Sequence, residues 1–159
     1  MSGEIRYVEG DATAPIGSGP KIIVHVCNDE GGWGKGFVVA ISKRWKAPER
    51  EYRAWHRRGS APPFELGQVQ VVPVADGLSV ANVIGQEGMR ARRGVPPIRY
   101  GAIAEGLAGV RAHALREGAS VHMPRIGCGL AGGRWEEILP IIERELLAHG
   151  VDVTVYDWS

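Results

Sequence analysis

The chain is poor in what would place it outside the ordinary globular class. Only two cysteines occur among its 159 residues, Cys27 and Cys128, and they have no CxxC spacing. That excludes a disulfide scaffold and argues against a zinc centre. Charge of either sign is not in excess: the net charge is +1, too little to draw nucleic acid by a global field. Long hydrophobic runs are missing. Ile22–Val26 and Gln70–Val74 are far too short to cross a bilayer. The start, Met-Ser-Gly-Glu-Ile-Arg-Tyr, has no apolar signal core, so the expected location is the cytosol. There is no internal repeat. One domain, residues 1–159, is the simplest organisation for this length.

Glycine, by contrast, is plentiful at 23 residues, without the periodicity of collagen or low-complexity chains. It gathers in two places. Gly127, Gly129, Gly132 and Gly133 fall between an apolar strand ending at Pro124 and a helix starting near Trp135. Gly31, Gly32, Gly34 and Gly36 fall between the run Lys21–Asn28 and a helix at Phe37–Trp45. Glycine is costly to order, so such clusters fit sites where bare backbone approaches something closely. A strand–glycine loop–helix unit aims N–H groups and a helix start at one point, which suits a phosphate. A tight turn without ligand is the other reading of either loop.

Hydrophobic patterning sets the remaining elements. Ile5–Glu9 reads as a strand. The β-branched run Lys21–Asn28 reads as a strand buried on both faces, as in a parallel sheet covered by helices. Pro48–Arg58 reads as a short amphipathic helix presenting Tyr52, Trp55 and His56 on a mixed surface. Gly67–Val74 and Leu78–Ile84 form an antiparallel pair about the Asp76-Gly77 turn, and Pro73 marks an edge or a strand end. Ile98–Glu117 is a helix stopped by Gly118, and Trp135–His149 is the last helix, with Ile138, Ile141, Ile142 and Leu146 inward. Val151–Asp157 closes the chain as a strand. The expected fold is α/β: a mixed central sheet with helices on both faces. If the strands are parallel, both glycine loops lie at the carboxyl edge, where open α/β folds bind ligands.

The familiar motifs are not met. No Gly-Lys-Ser/Thr follows either loop, so a P-loop fails; Gly32–Gly36 is not a dinucleotide fingerprint; there is no Gly-x-Ser-x-Gly elbow. What survives is a pair of backbone anion cradles that one diphosphate can span. Several side chains keep two readings. His25 is a core histidine or a catalyst. Cys128 is a small loop residue or a thiolate nucleophile. Asp11 caps a turn or accepts from an exocyclic amine. Arg90, Arg92 and Arg93 belong to a solvated loop or to a flap approaching a pyrophosphate.

Gly10-Asp11, Gly34-x-Gly36 and, above all, Pro124-Arg125-Ile126-Gly127-Cys128-Gly129-Leu130 with Trp135-Glu136 resemble a macrodomain. The nearest branch is that of the terminal ADP-ribose protein glycohydrolases, the ALC-like macrodomains, which the ending Val153-Thr154-Val155-Tyr156 also resembles. The resemblance implies a three-layer α/β/α fold and binding of ADP-ribose or ADP-ribosylated protein, or ADP-ribosylated nucleic acid, with no cofactor, metal or membrane. It implies that Asp11, beside Ala12, holds the adenine amine. It further implies that Asn28, Gly34, Lys35, Gly36 and Phe37 in one loop, and Arg125, Ile126, Gly127, Cys128, Gly129, Leu130 and Ala131 in the other, wrap the diphosphate and distal ribose. In that branch a lysine attacks the ribose and an aspartate assists. Here those positions hold Gln86 and Ala131, and neither side chain can do that chemistry. The expected activity is therefore hydrolysis of ADP-ribosyl esters by water, with Gln86 orienting it and Asp29 or Glu30 as base. A non-catalytic ADP-ribose reader is the alternative, and an enzyme of a free cyclic phosphate metabolite stands outside the family.

Overall fold

The computed structural model describes residues 2–158. Six strands form one sheet: β1 (Ile5–Glu9), β2 (Lys21–Asn28), β3 (Val69–Ala75), β4 (Leu78–Gln86), β5 (Ser120–Met123) and β6 (Val153–Asp157). Their order across the sheet is β1-β6-β5-β2-β4-β3. All neighbours are parallel except β3, which runs antiparallel to β4 at the edge. Pro73 sits on that edge strand, where a missing N–H is tolerated. The mixed sheet and flanking helices are the α/β arrangement expected from the hydrophobic pattern.

The period of two in β2 and β4 divides the core between the two faces. Ile22, Val24, Ala81 and Val83 pack with α3 (Tyr100–Glu117) and α4 (Trp135–Glu145). Ile23, Cys27, Val80 and Ile84 pack with α1 (Phe37–Arg44) and α2 (Ala47–Arg58). On α2, Pro48, Tyr52 and Trp55 recur at helical spacing and all three are buried, Tyr52 and Trp55 completely. This corrects the mixed surface expected for Tyr52 and Trp55; only His56 of that trio is exposed.

Other boundaries move for local reasons. β4 runs on through Gln86, because Gln86 bridges Ile98, and that pairing delays the next helix to Tyr100. The last helix stops at Glu145, and Leu147–His149 form a separate 3-10 turn before Gly150.

Two histidines are buried in the sheet. The Asn82 amide donates to Pro48 O (3.2 Å) and Gln70 Oε1 (3.0 Å), which leaves its Oδ1 as acceptor. His25 Nε2 therefore carries the proton it donates there, at 2.6 Å. Tyr156 OH accepts from Ile16 N (2.9 Å) and shares a hydrogen bond with His122 Nδ1 (2.7 Å), tying the 11–20 loop to the sheet. His25 is thus a hydrogen-bonded core residue.

Burial lowers the pKa of His25 from 6.5 to about 4, against the Asn82 bond that pulls the other way. Burial, with Lys21 and Arg6 nearby, takes His122 to about 4 as well. Folded values below the unfolded ones mean that the unfolded chain takes up protons first. Stability is whole above pH 6.5 and drains away as pH falls toward 4. His25 alone should cost about 2 kcal/mol between pH 7 and pH 4.5. Urea unfolding at the two pH values checks this; an unchanged midpoint would contradict it.

Candidate functional site

Three neighbouring parallel strands, β5, β2 and β4, end at one rim, and the loops that leave them enclose a cavity of about 850 Å³. The loops are 29–36, 87–99 and 124–134. This is where a parallel sheet gathers its connections, and the volume lies within the usual range for small-molecule sites, about 300–1,000 Å³.

The first loop is shaped by Asn28. Its Oδ1 accepts from Glu30 N (2.9 Å) and Gly32 N (3.0 Å), and its Nδ2 donates to Gly32 O (3.0 Å). Tyr52 OH, held in the core, donates to Asn28 O (2.5 Å). Asn28 lines the cavity, but its polar atoms are engaged in building the turn. The loop ends at Gly36, which caps α1 with φ 83° and ψ −145° and no side chain for the N–H groups that follow. Only glycine adopts that backbone readily.

The third loop folds back on itself through Gly133 N to Gly127 O (2.7 Å). Gly127 has φ 72°, and a side chain there would run into Ile98. The two loops lie close together: a Cβ placed on Gly36 would meet Leu130 Cδ1 at 3.5 Å. Among the described residues no acceptor takes the N–H of Phe37, Val38, Gly129, Leu130 or Ala131, all on the cavity lining. Free N–H groups at a helix start and in a glycine turn make an anion cradle. The side chains agree. Lys35, Arg90 and Arg125 line the cavity, and no carboxylate does among the described residues.

Arg125 is positioned rather than free. Its Nε and Nη2 donate to the Asp157 carboxylate at 2.6 and 3.0 Å, and its guanidinium lies 5.2 Å from the Tyr7 ring and 5.1 Å from the Trp135 ring. The Arg125 guanidinium holds the Asp157 carboxyl below its ordinary value. Sequence reasoning missed this clamp, because nothing in Tyr7 or Trp135 alone announces the pairing.

The middle loop adds a third wall. It is pinned at its base by Glu87 N to Pro97 O (2.8 Å) and Arg99 N to Gly85 O (2.8 Å), and Met89, Arg90 and Ala91 join the lining. Its place after β4 was the signal that could have put Met89 on the site list. Arg92 and Arg93 are exposed.

The expected site residues fall into three groups. Asn28, Gly34, Lys35, Gly36, Phe37, Gln86, Arg125, Ile126, Gly127, Gly129, Leu130 and Ala131 all line the cavity. Cys128 lies in the same loop but not on the lining; its thiol faces Ile126 O at 3.5 Å and burial raises its pKa, which removes the basis for a thiolate. Asp11, Ala12, Asp29 and Glu30 are also outside the lining. Asp11 Oδ1 accepts from Thr13 N (2.8 Å) and Thr13 Oγ1 (2.6 Å), as a turn cap does. Partial burial pulls its pKa up, but the Thr13 and Arg44 hydrogen bonds outweigh that and hold the carboxyl low. Ala12 is buried. Asp29 Oδ1 accepts from Gly88 N (2.8 Å), and Glu30 pairs with Arg92 at 3.8 Å. Both carboxylates tether the middle loop to the first. Neither Asp29 nor Glu30 is on the cavity lining, so the structure does not bring the two expected bases to it. Gln86 does line it; Nε2 donates to Gly88 O (3.1 Å), which leaves Oε1 available.

No protein-family model matches the sequence. A macrodomain protein from Streptomyces coelicolor of solved structure is 55% identical, over 97% of this chain and 99% of that one, with a TM-score of 0.87. The chain belongs to the macrodomain family. Among curated relatives, this macrodomain is 34% identical to a chromodomain-helicase-DNA-binding protein 1-like from Danio rerio over 96% of its own length, and it spans 15% of that protein. It is 26% identical to human ADP-ribose glycohydrolase OARD1, over 96% of this chain and 90% of OARD1. Among the described residues no helix is long and apolar enough to cross a membrane, and no group of three His, Cys, Asp or Glu side chains is placed to hold a metal.

Proposed function

We propose that this macrodomain binds ADP-ribose and releases it from acidic side chains by hydrolysing the ester to the anomeric carbon of the distal ribose. The observation that carries the reading is the two-loop cradle: free N–H groups and three cations around a cavity without carboxylates. A diphosphate matches that donor set. The kinship with OARD1, an ADP-ribose glycohydrolase by name, supports the same ligand. Asp11 keeps Oδ2 for an adenine amine, since that oxygen has only a 3.4 Å contact with Arg44.

The chemistry then follows from the leaving group. Water adds to the anomeric carbon, the carbon–oxygen bond to the acyl group breaks, and a carboxylate departs with the bonding pair. A carboxylate needs no general acid, its conjugate acid having a pKa of about 4.3. Little deprotonation of water is required if the ribose is already oxocarbenium-like, and its proton passes to solvent. The site must hold the diphosphate, fix the ribose and orient the water. Gln86 Oε1 supplies the last of these. Gln86→Ala should lower kcat roughly tenfold, the worth of one neutral hydrogen bond, with free ADP-ribose affinity unchanged. A time-course of ADP-ribose release from Glu-modified protein tests both statements. Tight binding with no release would leave the second reading, a non-catalytic reader, which Gln86 and Ala131 at the cavity favour because neither is a nucleophile or a base.

A further inference from the structure

Charge is unevenly spread over a chain that is nearly neutral. From Lys35 to Arg58 there are eight lysines and arginines against two carboxylates, Glu49 and Glu51. From Arg134 to Trp158 there are two arginines against six carboxylates. The first segment includes α1 and α2, on one face of the sheet; the second includes α4, on the other. A neutral total thus conceals one basic helical layer.

Within that layer the cations are ordered. Lys46, Arg50, Arg53 and Arg57 follow one another at intervals of four, three and four, so they share one stripe of α2. It lies opposite the stripe that buries Pro48, Tyr52 and Trp55. Lys46, Arg50 and Arg57 are exposed. Glu51 contacts Arg50 at 3.3 Å and Glu49 contacts Arg53 at 2.9 Å; Lys46 and Arg57 make no ion pair among the described residues. The stripe reaches the first of the loops that line the cavity. Arg53 Nη1 donates to Gly31 O (3.0 Å) in the first loop, and Glu30 of that loop meets Arg92 of the middle loop. Lys35 and Arg90 then continue the positive potential into the lining.

We infer that this stripe docks the carrier of the ADP-ribosyl group, and that the carrier is an acidic polypeptide segment in which the modified residue is flanked by further Asp or Glu. The proposal rests on the reading of the cavity above. From Lys46 to Arg57 the stripe is about 16 Å long, at 1.5 Å per residue, which matches about five residues of extended peptide. The interspersed Glu49 and Glu51 repel a uniform phosphate backbone more than a chain that can place neutral residues opposite them. Tyr52 and Trp55 of α2 are buried, and the exposed ring of α2, His56, already packs against Phe64 at 4.9 Å, so the helix offers no row of aromatic platforms on which successive bases of a single strand could stack.

The test uses peptides whose central side chain bears ADP-ribose through a non-hydrolysable linkage, with flanking residues all Glu or all Gln, titrated into wild type and into the Lys46→Glu, Arg50→Glu, Arg57→Glu triple variant. Wild type should bind the Glu-flanked peptide roughly tenfold more tightly than the Gln-flanked one. The preference should vanish in 0.5 M salt and in the triple variant. Free ADP-ribose should bind both proteins equally, which also reports an intact fold. Equal affinity for the two peptides in wild type, with ADP-ribose binding intact, overturns the docking surface alone. No binding of free ADP-ribose by wild type takes down the cavity reading with it. If the triple variant loses an ADP-ribosylated oligonucleotide but keeps its peptide preference, the stripe reads phosphates and the proposal is wrong.

Discussion

Glutamate-linked ADP-ribose should be released at least about a thousandfold faster than serine-linked ADP-ribose. The two substrates fill the cavity identically and differ in what leaves. A carboxylate departs unaided. An alkoxide is about as basic as hydroxide, whose conjugate acid has a pKa of about 15.7, so it must be protonated as the bond breaks. General acids contribute about 10²–10⁴-fold; the cavity lining has no carboxyl among the described residues, its histidine, His25, is buried and gives its Nε2 proton to Asn82, and its one lysine, Lys35, is assigned to the diphosphate. Parallel assays on the same peptide with either linkage decide the matter. Comparable rates would mean that an acid reaches the leaving group from a residue assigned here to another task.

Gly36→Val should weaken ADP-ribose binding by up to about 100-fold. The cap of α1 has φ 83° and ψ −145°, which a β-branched residue does not adopt without strain of about 1–3 kcal/mol. The chain relieves that strain by turning the peptide units on either side; the one that follows carries the Phe37 N–H of the cavity lining, and its reorientation also shifts the Val38 N–H next to it. A side chain at residue 36 also advances toward Leu130. Gly36 is exposed, so the sheet and both cores should survive, and the unfolding midpoint should change little. Titration with ADP-ribose alongside urea unfolding separates the two effects. Loss of both together would mean that Gly36 supports the fold rather than the ligand.

Much of this was legible in the residues. The run Lys21–Asn28 is β-branched on both faces because β2 is central and covered on both sides, and so its parallel setting could be read directly. The paired glycine clusters pointed to one rim, since parallel strands deliver their loops to the same edge; the structure brings them close together at Gly36 and Leu130. What the sequence could not convey was where carboxylates go. Asp29 and Glu30 follow the strand that feeds the site, and their position in the chain recommends them as bases. Their side chains instead secure Gly88 and Arg92, a matter of three-dimensional partners with no periodic signature. Net charge misled similarly: +1 over the chain hides a basic layer, because α4 offsets α1 and α2. Tyr52 and Trp55 were placed on a mixed surface because the charged residues between them dominate a linear reading, whereas helical geometry puts those charges on the far side.

The account stands on one grip: N–H groups of two neighbouring turns holding a single diphosphate. Crystallography of the macrodomain with ADP-ribose measures it directly. The diphosphate oxygens should lie within about 3 Å of N–H groups from both the Gly36–Val38 segment and the Gly129–Ala131 segment. A nucleotide bound with its diphosphate against only one of those segments, or outside the space between them, would contradict it.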